Sequence, residues 1–285
     1  MTAVATLPIA AHPDALRSQV RAWRKPAHTV ALVPTMGALH EGHLSLVRLA
    51  RERAQKVAVS LFVNPTQFAP GEDFEAYPRD VERDARLLAD AGCDLLFAPA
   101  PADMYPQGFS TAITVSGVSD DLEGRFRPQM FGGVATVVAK LLIAAEPDIA
   151  VFGEKDYQQL LVIRRLVHDL DLPVEIVPGP TVREDDGLAM SSRNAYLDPQ
   201  QRMIAGRLNL ALADAARRAK KGEAVATIEA DTTAELLEAG FDRVDYVAVR
   251  RADDLRPFAT TADEDARVLA AARIGKTRLI DNLAV

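Results

Sequence analysis

The chain has a single cysteine, Cys93, in 285 residues, so no disulfide can form within it. No apolar run approaches the roughly 20 residues that a helix needs to cross a bilayer. Charge comes in no long block of either sign. Lys and Arg number 33 against 40 Asp and Glu, a net charge of −7, which argues against general binding to nucleic acid or an anionic membrane. The N-terminus lacks the basic patch and apolar core of a secretory leader. Low-complexity tracts and internal repeats are missing too. These absences leave a soluble cytoplasmic protein as the expectation. Its length suffices for a sizeable core in one large domain or two ordinary ones, and two are preferred.

What is present is an alternation of strand and helix signals. The β-branched run Thr29 to Val33, the apolar runs VAVSLF (57–62) and DLLFAP (94–99), Ile149 to Phe152 and Val174 to Val177 predict strands. Between them, a charged segment from Arg79 stops at Gly92. Two further segments carry one apolar face each, through Val134, Val138, Leu141 and Ala145, and through Leu160, Ile163, Val167 and Leu170. This pattern predicts a Rossmann-like, doubly wound parallel sheet over residues 1–181. From 182 to 285 the pattern changes. An Ala/Leu/Arg-rich segment (199–221), a second helical stretch (226–239) and three strands (244–249, 267–274 and 277–283), the last two turning at Gly275-Lys276, predict a smaller α+β domain.

Chemistry-bearing residues concentrate in four loops. PTMGALHEGH (34–43) reads as a strand end, a glycine-bearing turn and a helix start. Unpaired N–H groups and the helix dipole favour an anion at such a place, and His40 and His43 add donors. Zinc is disfavoured there, because no cysteine or third histidine lies near in sequence. FVNPTQF (62–68) offers the amides of Asn64 and Gln67 beside two phenylalanines, and turn-forming Pro70 and Gly71 follow it. FGEKDYQQ (152–159) puts Lys155 just after a strand, with Gln158 and Gln159 opening a helix. GLAMSSRN (187–194) sets Ser191, Ser192 and Arg193 together, a grouping suited to a polyphosphate.

Together with RPQMFGGVATVVAKLL (127–142), these motifs resemble the pantothenate synthetase (pantoate-β-alanine ligase) family in order and spacing. The resemblance covers most of the first 200 residues. The His-x-Gly-His form is similar to the signature of the wider nucleotidylyltransferase and class I aminoacyl-tRNA synthetase superfamily, and Met190 to Arg193 to its mobile Lys-Met-Ser-Lys-Ser type loop. The resemblance implies ATP-dependent condensation of pantoate with β-alanine through a pantoyl adenylate, with Mg²⁺, in a homodimer. It implies that Met36, Gly37, His40, His43, Gly153, Lys155, Asp156, Met190, Ser191, Ser192 and Arg193 bind ATP. Among these, His40, His43, Lys155 and Arg193 are the catalytic candidates. It further implies that Asn64, Gln67 and Gln159 hold pantoate, and that Asp84 is the candidate for magnesium. One departure is Met130, where the family usually carries histidine before Phe131. Rival readings are a related nucleotidylyltransferase acting on another acceptor and a non-catalytic nucleotide-binding regulator.

Overall fold

The computed structural model describes residues 7–69, 71–262 and 265–285. Pro70, expected in a turn-rich stretch, lies outside the described residues. The chain divides into two compact units, Met1–Glu154 with Val162–Pro180, and Lys155–Leu161 with Thr181–Val285.

The first unit holds a six-stranded parallel sheet. Its strands are β1 (Ile9–Ala10), β2 (Val30–Thr35), β3 (Lys56–Leu61), β4 (Leu95–Phe97), β5 (Ile149–Gly153) and β6 (Glu175–Gly179). The spatial order is β1-β4-β3-β2-β5-β6. Ala31, Val33, Val57, Val59 and Leu61 share a core with Leu46, Val47 and Ala50 of the helix Glu41–Arg53 and Leu88 of the helix Val81–Asp90. The intervening Val30, Leu32 and Ala58 are equally buried, so both faces are covered, as continuous rather than alternating apolar strands require. From β2 the chain builds outward through β3 and β4, then crosses back to place β5 on the other side of β2. That reversal is a topological switch point, where open α/β sheets bind ligands beyond the strands' carboxyl ends. Here the β2–β5 ladder covers only Ala31↔Ile149 and Leu32↔Ala150. It ends two residues before Pro34, which has no N–H to contribute, while β5 pairs with β6 along its whole length.

Strand β6 continues through Pro178, beyond the expected end at Val177. It lies at the sheet edge, where a missing N–H is tolerated. The two-residue strand β1 and the helix Pro13–Arg24 had no reading in the sequence.

The second unit contains an antiparallel sheet of β7 (Arg243–Arg251), β8 (Ala266–Ile274) and β9 (Thr277–Ala284). The expected hairpin turn falls at Gly275-Lys276, with Gly275 at φ +54°. Leu208, Ala211, Leu212, Ala215 and Ala219 of the helix Arg207–Lys220, and Ile228 and Leu236 of the helix Val225–Glu238, share a core with Val247, Val249, Val268 and Ala270. The segment 199–221 is two helices, Pro199–Ala205 and Arg207–Lys220. Gly206 lies at their junction, and a Cβ there would lie 2.6 Å from Asp186 Oδ2.

The division differs from the sequence expectation of 1–181 and 182–285 in one respect: Lys155–Leu161 belongs with the second unit. The reason is tertiary. Asn282 Nδ2 donates to the Lys155 carbonyl at 2.9 Å, Tyr157 Oη to the Ala252 carbonyl at 2.7 Å, and the Arg267 guanidinium lies 3.8 Å from the Tyr157 ring centroid.

One glycine of the first unit decides a packing contact. A Cβ on Gly133, in the helix Met130–Ala145, would lie 2.5 Å from the Thr66 carbonyl oxygen and 2.8 Å from Gln67 N. Helix propensity alone favours Gly→Ala by about 1 kcal/mol. A clash with backbone outweighs that gain, so Gly133→Ala is expected to destabilise the protein by about 1–3 kcal/mol, read as a lower urea midpoint. A raised midpoint would show that the close approach is relaxed at little cost.

Candidate active site

The turn between β2 and the helix Glu41–Arg53 is built from unusual backbone. Gly37 and Ala38 both have positive φ, +87° and +51°, and for alanine this conformation costs roughly 1–2 kcal/mol. Asp84 opposes that cost. Its side chain is wholly buried, and Oδ1 accepts from Leu39 N at 3.1 Å and from Arg83 Nη1 at 3.2 Å. Arg83 Nη2 reaches the Leu39 carbonyl at 3.2 Å. A Cβ on Gly37 would lie 3.2 Å from Asp84 Oδ2, so glycine allows the close approach as well as the positive φ. Burial raises the Asp84 carboxyl above its ordinary value, and the N–H groups of Leu39 and Ala38 partly offset the shift. By sign, the folded chain holds this proton more tightly than the unfolded chain. The group's contribution to stability is therefore greatest below the ordinary carboxylate range and falls as pH rises from there through the folded-state value.

The turn delivers two histidines to a helix start. His40 is the N-cap, and its Nδ1 accepts from Gly42 N at 3.2 Å. His43 Nδ1 accepts from His40 N at 3.4 Å. This is a capping box made of imidazoles instead of the usual Ser/Thr with Glu/Gln. The rings lie 4.1 Å apart between centroids, tilted by 40°. Because each Nδ1 accepts, the proton of a neutral ring belongs on Nε2. In each neutral ring Nε2–H is then the donor, beside the positive end of a helix dipole.

Asn64 and Gln67 sit in the loop after β3. Asn64 is 1% exposed. Its Oδ1 accepts from Thr66 N, Thr66 Oγ1 and Tyr105 Oη, and its Nδ2 donates to the Gly133 carbonyl and to Gln67 Oε1. Gln67 is half-buried, with Nε2 2.7 Å from Met36 Sδ. Burial raises the Tyr105 hydroxyl above its ordinary value, against the lowering effect of Thr66 and Asn64. Arg127 fixes the far side of the loop. Its Nε and Nη2 each lie 2.7 Å from a Glu72 carboxylate oxygen, and Nη2 also reaches the Gln67 carbonyl at 3.3 Å. Met130, the departure from the family pattern, is buried with its sulfur 2.6 Å from Arg127 Nη1. The charge at this position is matched by Glu72, and Met130 serves as a polarisable neighbour.

In the second unit, Lys155 lies in the short turn Glu154–Asp156 before the helix Tyr157–Asp169, with Nζ 4.0 Å from Asp156 Oδ2. Gln158 is buried and Gln159 half-buried. Residues 182–190 form a narrow hairpin through the Arg183↔Ala189 bridge and the Met190 N to Val182 carbonyl bond. Arg183 anchors it with two bonds to the wholly buried Asp281 carboxylate, at 2.7 and 3.0 Å. Beyond that anchor, Ser191 Oγ accepts from Arg193 N at 3.3 Å and opens the turn Ser192–Tyr196. Gly153 ends β5 in the first unit, whereas Lys155, Asp156, Gln159 and Met190 to Arg193 belong to the second.

Two of the sequence candidates, Asp84 and Asn64, face inward. Asp84, the magnesium candidate, is wholly buried: Oδ1 is bonded to Leu39 N and Arg83 Nη1, while Oδ2 has no hydrogen-bond partner among the described residues. Among the described residues no group of three or more His, Cys, Asp or Glu side chains is placed to hold a metal. Asn64 braces its loop, with its amide oxygen and nitrogen both engaged by neighbouring groups. Sequence reasoning missed Arg127 with Glu72, Tyr105, and Arg183 with Asp281. Their partners lie 41 to 98 residues away, so no local spacing signals them.

A switch-point turn, a helix start and paired neutral donors define a nucleotide-binding α/β protein. The comparisons narrow that class. A family profile described as pantoate-beta-alanine ligase matches residues 8–284. A pantothenate synthetase of Paramagnetospirillum magneticum is 59% identical over 271 residues, covering 95% of each chain. The crystal structure of pantothenate synthetase from Thermus thermophilus superposes with a TM-score of 0.90 at 48% identity, covering 97% of this chain and 99% of that one. A pantoate-beta-alanine ligase from Francisella tularensis, complexed with beta-gamma ATP and beta-alanine, gives 0.82 at 34% identity, covering 98% of this chain and 97% of that one. The chain belongs to the pantoate-β-alanine ligase family.

Asp84→Ala leaves the Leu39 N–H without its acceptor and is expected to cost about 1–3 kcal/mol in urea unfolding. Asp84→Asn keeps an acceptor and should lose less, with an unchanged Mg²⁺ requirement for turnover. Equal losses would deny the N–H bond its role, and a raised Mg²⁺ requirement would make Asp84 a metal ligand.

Proposed function

We propose that this protein condenses pantoate with β-alanine at the expense of ATP, in two steps. Pantoate's carboxylate attacks the α-phosphorus of ATP, forming a pantoyl adenylate and releasing pyrophosphate. The amine of β-alanine then attacks the acyl carbon, releasing AMP and leaving pantothenate. The observation that carries this reading is the imidazole capping box on the switch-point turn, in a chain whose family is named for this reaction.

The first step brings an anion to a polyanion, so the protein's task is to stabilise charge on phosphate oxygens. His40 and His43 supply neutral Nε2–H donors, while Lys155 and Arg193 supply fixed positive charge. Met36, Gly37, Gly153, Asp156, Met190, Ser191 and Ser192 complete the proposed ATP contacts. Pantoate's carboxylate is ionised near neutral pH, so this step needs no general base. Gln67 and Gln159 are the pantoate contacts. Neutral amides suit a hydroxy acid better than a phosphorylated acceptor, which would call for cationic groups. Magnesium belongs to the same reading as a companion of ATP, where it would neutralise charge on the phosphate oxygens. A homodimer and a cytoplasmic location complete the proposal.

The test is product analysis with purified protein, ATP, Mg²⁺ and pantoate, with β-alanine added in a second tube. Pantoate-dependent pyrophosphate release in the first tube, with AMP and pantothenate accumulating in the second, is the expected result. His43→Ala should slow the first step by about a hundredfold or more without unfolding the protein. Pyrophosphate release that ignores pantoate, or near wild-type turnover of His43→Ala, would contradict the proposal.

A further inference from the structure

An amide side chain presents either a donor or an acceptor, and which one it presents depends on what holds its other end. Gln67 is such a case. Asn64, beside it, has no choice of orientation. The Thr66 N–H needs an acceptor, so the Asn64 atom 3.3 Å away is Oδ1, and Thr66 Oγ1 and Tyr105 Oη also converge on it at 2.9 Å. The Gly133 carbonyl needs a donor, so the atom 3.1 Å from it is Nδ2. Two backbone groups, whose roles cannot be exchanged, therefore fix the Asn64 amide. Its remaining N–H points at Gln67, and the Gln67 atom 3.1 Å away must be the acceptor Oε1. That leaves Nε2, which lies against the Met36 thioether, a weak acceptor that a substrate oxygen would readily displace.

We infer that Asn64 is a positioning residue that sets the polarity of Gln67, so that Gln67 meets pantoate as an N–H donor to one of its oxygens and discriminates against groups that can only donate. The inference rests on the reading of Gln67 as a pantoate contact. The chain Gly133 carbonyl, Asn64, Gln67 carries the polarity outward from the helix Met130–Ala145. The reversed amide would place two donors against each other, Asn64 Nδ2 and Gln67 Nε2, and leave a buried N–H unpaired.

The experiment is a double-mutant cycle on kcat/KM for pantoate, with KM for ATP measured alongside and thermal melts confirming the fold. Asn64→Ala is expected to lose at least about tenfold in the Gln67 background, and no more than about twofold in the Gln67→Ala background, because its effect acts through Gln67. Equal losses in both backgrounds would overturn the inference. If Gln67→Ala leaves KM for pantoate unchanged, the fault lies in reading Gln67 as a pantoate contact. Gln67→Glu needs no change at Asn64 and keeps the test decisive if Asn64→Ala fails to fold. Its inner oxygen still accepts from Asn64, but its outer one can no longer donate. KM for pantoate should then rise about tenfold or more, with KM for ATP held within about twofold. An unchanged KM for pantoate in this variant would show that Gln67 does not act as a donor.

Discussion

The first unit's chemistry depends on one buried contact, the Asp84 carboxylate against the turn at residues 37–39. Two consecutive left-handed residues do not persist without support, and here the support is a carboxylate placed where water cannot reach it. The desolvation that raises its pKa is the cost of a rigid turn. The turn in turn settles where the next helix begins, which groups cap it, and which nitrogen of each neutral ring carries the proton. Donors fixed before substrate arrives require no reorganisation when charge develops, the condition under which electrostatic stabilisation of phosphoryl chemistry is largest.

The loop after β3 follows the same logic with different groups. Gly133 lets a helix backbone touch the loop at Thr66 and Gln67, Asn64 closes the hydrogen bonds between them, and Arg127 with Glu72 holds the loop's outer edge. None of these groups need touch a substrate to matter, since a displacement of about 1 Å at a proposed contact such as Gln67 is enough to cost much of its effect. In the second unit, Arg183 and Asp281 anchor the stem of the serine-arginine segment and leave residues 191–196 as the part beyond the anchor.

Much of this architecture was legible in the sequence, because periodicity and punctuation report local structure directly. The strand-turn-helix reading of residues 29–43, the hairpin at Gly275-Lys276 and the parallel sheet all follow from apolar spacing and glycine. The two-residue strand β1 was not legible, being too short to show a period. Neither was the allegiance of Lys155–Leu161, which side-chain contacts with Ala252, Arg267 and Asn282 decide. Motif resemblance named candidate residues but did not separate those whose polar groups are bonded within the fold from the rest. Asn64 and Asp84 stand among the candidates in sequence, and only their burial and their partners show them facing inward.

The tautomers of His40 and His43, read from long-range ¹⁵N–¹H correlations at neutral pH with and without a non-hydrolysable ATP analogue, report most directly on what the braced turn presents. The braced turn predicts that both neutral rings carry their proton on Nε2, and that adding the analogue shifts those Nε2 resonances. Protons on Nδ1, or Nε2 resonances indifferent to the nucleotide, would contradict the claim that this turn presents two donors to phosphate.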